Sequence, residues 1–434
     1  MLGDDTTEDA DQLSSWMQPL QTLSVTPNVQ LRVEWVGVII ADLDHPCIAQ
    51  WLKQLGKLIS HLTVAVEISN DRLKLRDFAV AAAPCRSINL TIWHGSNEIL
   101  DLADLAPIAG SLNRLSFEPN DLGCGWLKGA SSFSSMSQLT TLHVHRESFG
   151  TEEPWVLVAK LSNLQELSVN MSASGNPSPL SALTALSSLY LRSCEFENLE
   201  VLGADIPAPF SFSSLQPLST LQQLEELHLG SSACGATSLQ GLAGLSNLKQ
   251  LGLDFVGNYR GKLRSLNGVS PGVRALPIEG ASNLVSLAGI ESCTSLEKLL
   301  LKYCGVSSLQ PLKGLSCLKE LVVYGCHITN MESVCSMALQ RLLLMHCPSL
   351  SQLSEIQHLS SMKSLEVMHC GVTSLQPLSQ LGEGLQRLSV FDCSKVREEV
   401  LQLPHVQPTA DVVVKCSSIK EVVLAGGVKR AVRV

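Results

Sequence analysis

The sequence predicts an α/β solenoid, with a parallel sheet on one side and short 3₁₀-like turns on the other, and three observations predict it. The first is a phrase written five times between Leu296 and Cys393. It reads Leu296-x-x-Leu299-x-Leu301-x-x-Cys304 and recurs from Leu318, Leu339, Met362 and Leu385 to Cys326, Cys347, Cys370 and Cys393. A unit repeated at such a period is too small to bury its own apolar face and must stack on its neighbours. The second is that each short strand alternates apolar and variable residues, whereas parallel strands covered on both faces read as continuous apolar runs; one face is therefore left open to solvent. The third is the linking text, Ser308-Leu309-Gln310-Pro311-Leu312 and again Ser374-Leu375-Gln376-Pro377-Leu378. At about a dozen residues, such linkers suit tight 3₁₀-like turns better than long helices.

The phrase resembles that of the leucine-rich repeat family, L-x-x-L-x-L-x-x-[N/C], and it recurs in phase. Its period and its Leu-x-x-Leu-x-x-Leu linkers are most similar to the short subclass seen in bacterial internalins and in the regulatory subunit of protein phosphatase 1. The resemblance implies a horseshoe with a parallel sheet on the concave side, a surface the family usually uses to bind another protein. The chain departs from the commoner asparagine ladder by placing cysteine at the end of many repeats. Asparagine satisfies backbone groups of the adjacent coil strongly, while cysteine is a small buried hydrophobe with a weak S–H donor.

Taken in order, residues 1–27 form an acidic polar extension that ends as a cap, because the ends of a solenoid need polar covers. Residues 28–110 carry degenerate repeats, with strands expected at Leu31–Val33, Leu62–Val64 and Ile88–Leu90. Residues 111–416 are the regular solenoid. Its phase runs through Leu115, Leu142, Leu167, Leu189, Leu227, Leu251 and Leu276 into the five units above, and Val412–Val414 stands where one more strand is due. Thirty-eight residues separate Leu186 from Leu224, so the 203–213 stretch with Phe210 and Phe212 is expected to leave the coil, either as a docking loop or folded back on the surface. Residues 417–434 read as a hairpin about Gly426-Gly427 that caps the last sheet edge.

Composition narrows the function. With 45% hydrophobic and 16% charged residues the chain can bury a large core, and its net charge of −9 includes five acids, Asp4, Asp5, Glu8, Asp9 and Asp11, that precede the first basic residue, Arg32. The remainder is nearly balanced and has no basic stripe, which argues against nucleic acid as a main partner. No apolar run approaches the roughly 18 residues of a membrane span, and no charged and then apolar segment opens the sequence, so neither a span nor a leader is expected. The expected compartment is the cytoplasm, with the nucleus left open. On that reading the sequons at Asn89 and Asn170 are chance matches. Six of the 14 cysteines (Cys194, Cys304, Cys326, Cys347, Cys370, Cys393) follow the repeat, so no disulfide framework is needed.

Two stretches carry residue types used in catalysis or metal binding. Asp121-Leu122-Gly123-Cys124-Gly125 is similar to the glycine loop of S-adenosylmethionine methyltransferases, but Glu118-Pro119-Asn120 precedes it where an apolar strand is required and Leu127 fills the place of the third glycine. His346, His369 and Asp392 stack on successive coils one position before the cysteines. Two imidazoles and a carboxylate are metal-ligand types, yet on an extended segment they face water while the thiols face the core, which favours a solvated rim. The same divergence discourages a Cys/His nucleophile pair. No P-loop, H-E-x-x-H, G-x-S-x-G or paired C-x-x-C motif is present. A non-catalytic chain without metal or cofactor is expected.

What remains is the open face. In the earlier coils it is mixed: His143, His145, Glu166, Tyr190, Arg192, Glu226, His228, Lys249 and Asp254. In the five regular coils it turns apolar and aromatic: Leu300, Tyr303, Val322, Tyr324, Leu343, Met345, Met368 and Phe391, flanked by Lys298, Lys302, Glu320, Arg341, Glu366 and Arg387. Exposed apolar surface rimmed by charge marks partner sites. These eight residues are the expected contact set for a protein or peptide on the concave face. The alternative, carried by subclass resemblance alone, is a regulatory or substrate-recruiting subunit of a phosphatase or ubiquitin ligase.

Overall fold

The computed structural model describes residues 31–40, 52–53, 56–68, 73–94, 99–119, 125–145, 147–148, 154–170, 178–192, 214–230, 236–255, 262–334, 337–397, 400–419 and 421–431. The 1–27 extension, Asp121–Cys124, Cys194 and the 203–213 stretch lie outside them. The chain divides into two compact units, one composed mainly of Met1–Gly175 and the other mainly of Ser187–Glu197 and Pro209–Val434.

In the first unit six strands, β1 (Leu31–Ile40), β2 (Ile59–Ile68), β3 (Ile88–His94), β4 (Leu112–Pro119), β5 (Thr141–His145) and β6 (Glu166–Asn170), pair in chain order and in parallel. The leucines set the register: Leu90 lies opposite Leu115, Leu115 opposite Leu142 and Leu142 opposite Leu167, all of them fully buried. Two departures explain why the phase is hard to read here. The first two strands are ten residues long, and the link between β2 and β3 holds an α-helix, Leu73–Ala82, which buries Leu75, Phe78, Ala79 and Ala82. The next link is a ten-residue 3₁₀ segment, Leu102–Ser111, capped by Asp101, whose carboxylate accepts the Ala103 N–H at 2.9 Å.

The second unit is more regular. Its strands are β7 (Ser188–Arg192), β8 (Glu226–Gly230), β9 (Gln250–Asp254), β10 (Ala275–Glu279), β11 (Lys298–Lys302), β12 (Glu320–Tyr324), β13 (Arg341–Met345), β14 (Ser364–Met368), β15 (Arg387–Phe391) and β16 (Asp411–Lys415), again parallel and in order. Leu276, Leu299, Leu321, Leu342, Leu365, Leu388 and Val412 are successive register partners. On the opposite side run short 3₁₀ segments, and Pro217, Pro311 and Pro377 open three of them, where a fixed φ suits the turn and no N–H is missed. One coil shows the packing: Val306, Leu309, Leu312, Leu315, Leu318, Leu321, Val323 and Cys326 are all buried. At about 2 kcal/mol for each buried aliphatic side chain, stacking is what holds the coil closed.

The backbone turns inward after each strand by a device the sequence reading did not anticipate. The residue before the cysteine is not extended: Tyr303, His346, His369 and Asp392 have φ of 52°, 51°, 52° and 44°, and Gly325 has 62°. This left-handed residue swings the next side chain into the core, so the imidazoles are exposed and the thiols buried, as expected, but through a turn and not through strand alternation. Each thiol then donates to two carbonyls. Cys347 reaches Met345 at 3.4 Å and Val323 of the preceding coil at 3.8 Å, and Cys370 reaches Met368 at 3.3 Å and Leu344 at 3.5 Å.

The end of this unit differs from the sequence-based expectation. Glu421–Val423 and Lys429–Ala431 pair antiparallel about Ala425–Gly427, with Gly426 and Gly427 at positive φ, but this hairpin joins Val400–Gln402 in a separate three-stranded sheet. It does not pair with β16, which among the described residues pairs only with β15.

Candidate functional site

The register of β11 to β16 sorts the open face of the second unit into rows. The first is Lys298, Glu320, Arg341, Ser364, Arg387 and Asp411, and the second is Leu300, Val322, Leu343, Glu366, Ser389 and Val413. The third is Lys302, Tyr324, Met345, Met368, Phe391 and Lys415. Tyr303 stands beside the third row in the left-handed column. Leu300, Val322 and Leu343 are thus cross-strand neighbours, as are Tyr324, Met345, Met368 and Phe391; all seven are partly exposed, and Tyr303 is 49% exposed.

Rings make the edge of this band continuous. Tyr303 meets Tyr324 edge-on with centroids 4.8 Å apart, Tyr324 meets His346 at 5.2 Å, and His346 stacks flat on His369 at 4.6 Å. The His369 Nδ1–H then donates to the Asp392 carboxylate at 3.1 Å. Parallel stacked imidazoles direct their nitrogens side by side and not toward a common point, and among the described residues no three metal-ligating side chains converge.

Charge is neutralised along the first row. Arg341 lies between Glu320, 2.9 Å away, and Glu366, 3.8 Å away, while Arg387 is 3.4 Å from Asp411. Lys302 is ion-paired with Glu279, whose hydrogen bond holds the ammonium above its usual pKa, and it also sits 5.7 Å from the Tyr303 ring centroid. Lys415 lies 5.6 Å over Phe391. The apolar band therefore has a lysine in contact with aromatic rings at each end.

The open face of the first unit is polar, and its closest arrangement to a reaction centre went unnoticed in the sequence. The Glu118 carboxylate is 3.1 Å from His145 Nδ1, and His145 Nε2 is 3.4 Å from the Ser168 hydroxyl, the order acid, imidazole, hydroxyl. Glu118 and His145 each follow a register pair, Phe117 and Val144, whereas Ser168 lies two places earlier on β6, opposite His143, so aligning the repeats column by column could have found the acid and the imidazole but not the hydroxyl. Burial pushes the Glu118 carboxyl up, but hydrogen bonds with His145 and Ser116 outweigh it and hold the pKa below the usual value. Ser168 lies inside a paired strand opposite His143, where backbone amides are committed to the sheet and do not form an oxyanion hole. His143 bonds Glu166 at 3.0 Å and faces Arg114; burial, and then the arginine and His145, keep its pKa low.

In the second unit, Tyr190 stacks on His228 with centroids 4.6 Å apart, and Lys249 pairs with Glu225 at 2.7 Å. The Tyr190 hydroxyl donates to Glu226, Asp254 is partly exposed at the end of β9, and the side chain of Arg192 lies outside the described residues.

Among solved structures the chain matches a leucine-rich repeat protein of Leptospira interrogans at 20% identity, covering 85% of this chain and 91% of that one with a TM-score of 0.53. The chain has the leucine-rich repeat fold. An internalin of Listeria monocytogenes agrees at 17% identity, 87% and 97% coverage and a TM-score of 0.50. So does TLR13 in a complex with ssRNA13, at 17% identity and a TM-score of 0.50, over 88% of this chain and 55% of that one. No family model and no curated protein sequence matches this leucine-rich repeat chain. Among its described residues no helix is long and apolar enough to cross a membrane.

Proposed function

We propose that this leucine-rich repeat chain is a non-catalytic interaction scaffold that binds a protein or peptide across the open face of its second unit, from Leu300 to Phe391. The observation that carries this reading is Tyr303. A bulky side chain at φ 52° is costly, and it is half exposed over Tyr324 at the margin of an apolar band. The contact with Tyr324 roughly offsets that cost and no more, and the half of the ring left in water is area that a partner would bury. Tyrosine combines apolar area with a hydroxyl, a combination enriched at interfaces.

The RNA in the TLR13 complex is not carried over, because the arginines and lysines nearest this band are paired with carboxylates or engaged with rings. The nine described cysteines are free and eight of them are buried, which supports a reducing compartment and, in our reading, the cytoplasm.

The test is affinity capture with the full chain, identification of the captured partner, and measurement of its Kd with three proteins. Tyr324→Ala with Met345→Ala is expected to lose about 2 kcal/mol or more, roughly thirtyfold in affinity. A control changed at Glu225 and Lys249 is expected to bind as the parent does. The reverse result assigns binding to the earlier coils and removes the proposal.

A further inference from the structure

We infer that strand β16 is a self-association edge, on which a second copy of this chain pairs antiparallel through the segment Asp411-Val412-Val413-Val414-Lys415. The Asp411 N–H donates to the Gln386 carbonyl and the Lys415 carbonyl accepts from Asp392 N–H, so residues 411 and 415 direct their backbone groups toward β15. Successive residues of a strand alternate in direction. The N–H and C=O of Val412 and Val414 therefore point to the far side, where no described residue pairs with them. An edge of this kind is a template for another strand.

Side chains agree with the backbone. Val412 occupies the inward place that Leu321, Leu342, Leu365 and Leu388 fill completely buried, yet it is only partly covered. The hairpin of Glu421–Val423 and Lys429–Ala431 pairs with Val400–Gln402 and not with this edge.

The choice of a second copy as occupant follows from charge. The segment is acid, three valines, base, and two copies placed antiparallel about Val413 set Asp411 of each against Lys415 of the other. In that register Val412 and Val414 face Val414 and Val412 of the second copy as the hydrogen-bonded pairs, which is what their outward groups require. Residues 411 and 415 fall in the non-hydrogen-bonded pairs, where opposed side chains approach most closely. Asp411, 3.4 Å from Arg387, and Lys415, over the Phe391 ring, are both exposed and keep a free side toward the edge, and the arrangement has the two-fold symmetry of an isologous dimer. A parallel added strand would align like charges with like along the edge. This inference does not depend on the reading of the open face.

One strand pair buries less than the area of a standard stable interface, about 800 Å² on each partner, so the expected dimer is weak and grows in over about 5 to 500 µM. Sedimentation velocity of the full chain over that range is the measurement. Asp411→Lys alone and Lys415→Asp alone each oppose like charges twice and are expected to weaken the dimer by about tenfold or more. Mixing the two single variants restores both oppositions in a heterodimer, and the double exchange Asp411→Lys with Lys415→Asp restores the homodimer. Val412→Pro removes an outward N–H while leaving the bonds to β15, and is expected to be monomeric. Recovery on mixing shows that the single variants are folded. A parent that stays monomeric to the top of the range, or a dimer indifferent to the charge exchanges, overturns the inference.

Discussion

Tyr303 lies edge-on to Tyr324, with ring centroids 4.8 Å apart and planes at 83°, while its own backbone is held at a φ of 52°. Replacing it with glycine removes about 1–2 kcal/mol of left-handed strain and forfeits a ring contact of about the same size. Tyr303→Gly is therefore expected to melt within a few degrees of the parent by circular dichroism, yet to bind the partner of the open face more weakly. A large loss of stability would show that the ring is structural.

Leu321 is fully buried between Leu299 and Leu342. Leu321→Asp brings a carboxylate into that stack without a partner and is expected to cost about 4 kcal/mol or more. Hydrogen exchange should report the loss first over residues 296–393. Unchanged protection there would contradict the register.

Among the described cysteines Cys317 is exposed and the others are buried. Burial pushes the thiols of Cys85 and Cys293 up to about 11, and in the ladder the neighbouring thiol, then burial, raises Cys326 and Cys370. The same contacts lower Cys304 and Cys347, but these thiols too are buried away from reagent, so native labelling at pH 8 should be prompt at Cys317 and slow at Cys304, Cys326, Cys347, Cys370 and Cys393 until the chain unfolds. Peptide mapping of the labelled sites checks this. Equal rates would remove the inward ladder.

The first unit should lose stability in acid in two stages. His143 has a folded pKa below its usual 6.5, so the folded state disfavours its protonation and stability falls as pH drops through 6.5 toward the lower folded value. Glu118 has a folded pKa below its usual 4.5, so its contribution is full above that value and disappears as pH falls through the folded one. Melting temperatures between about pH 8 and pH 3 should therefore decline twice, with the lower step removed in Glu118→Gln and the upper one in His143→Gln.

The leucine phase was legible because each repeat places Leu299, Leu321, Leu342, Leu365 and Leu388 at one position, and stacking requires that position to be apolar. The first strands were harder to read because β1 and β2 are long and the helix Leu73–Ala82 breaks the period. Seven of the eight residues expected on the apolar face could be grouped from spacing, since register converts equal phase into adjacency, while Tyr303 stands outside the register. The line of rings from Tyr303 to His369 could not, because it depends on a backbone turn that spacing does not encode. Glu118, His145 and Ser168 were missed for a different reason: they are separated by 27 and 23 residues and meet only after three coils have stacked.

The left-handed turn before each cysteine restricts what this edge of the molecule can display. Glycine enters such a conformation freely, and aspartate and histidine enter it more readily than most side chains. The column holds Gly325, His346, His369 and Asp392, drawn from that short alphabet, and Tyr303 from outside it. New specificity along this edge is therefore reached through few letters: an empty place, a negative charge or a titratable ring, with any bulkier choice bearing a conformational penalty. The neighbouring third row, on ordinary strand backbone, has no such restriction. Diversification of the surface is thus channelled into Tyr324, Met345, Met368 and Phe391, while the column beside them varies within narrow chemical limits.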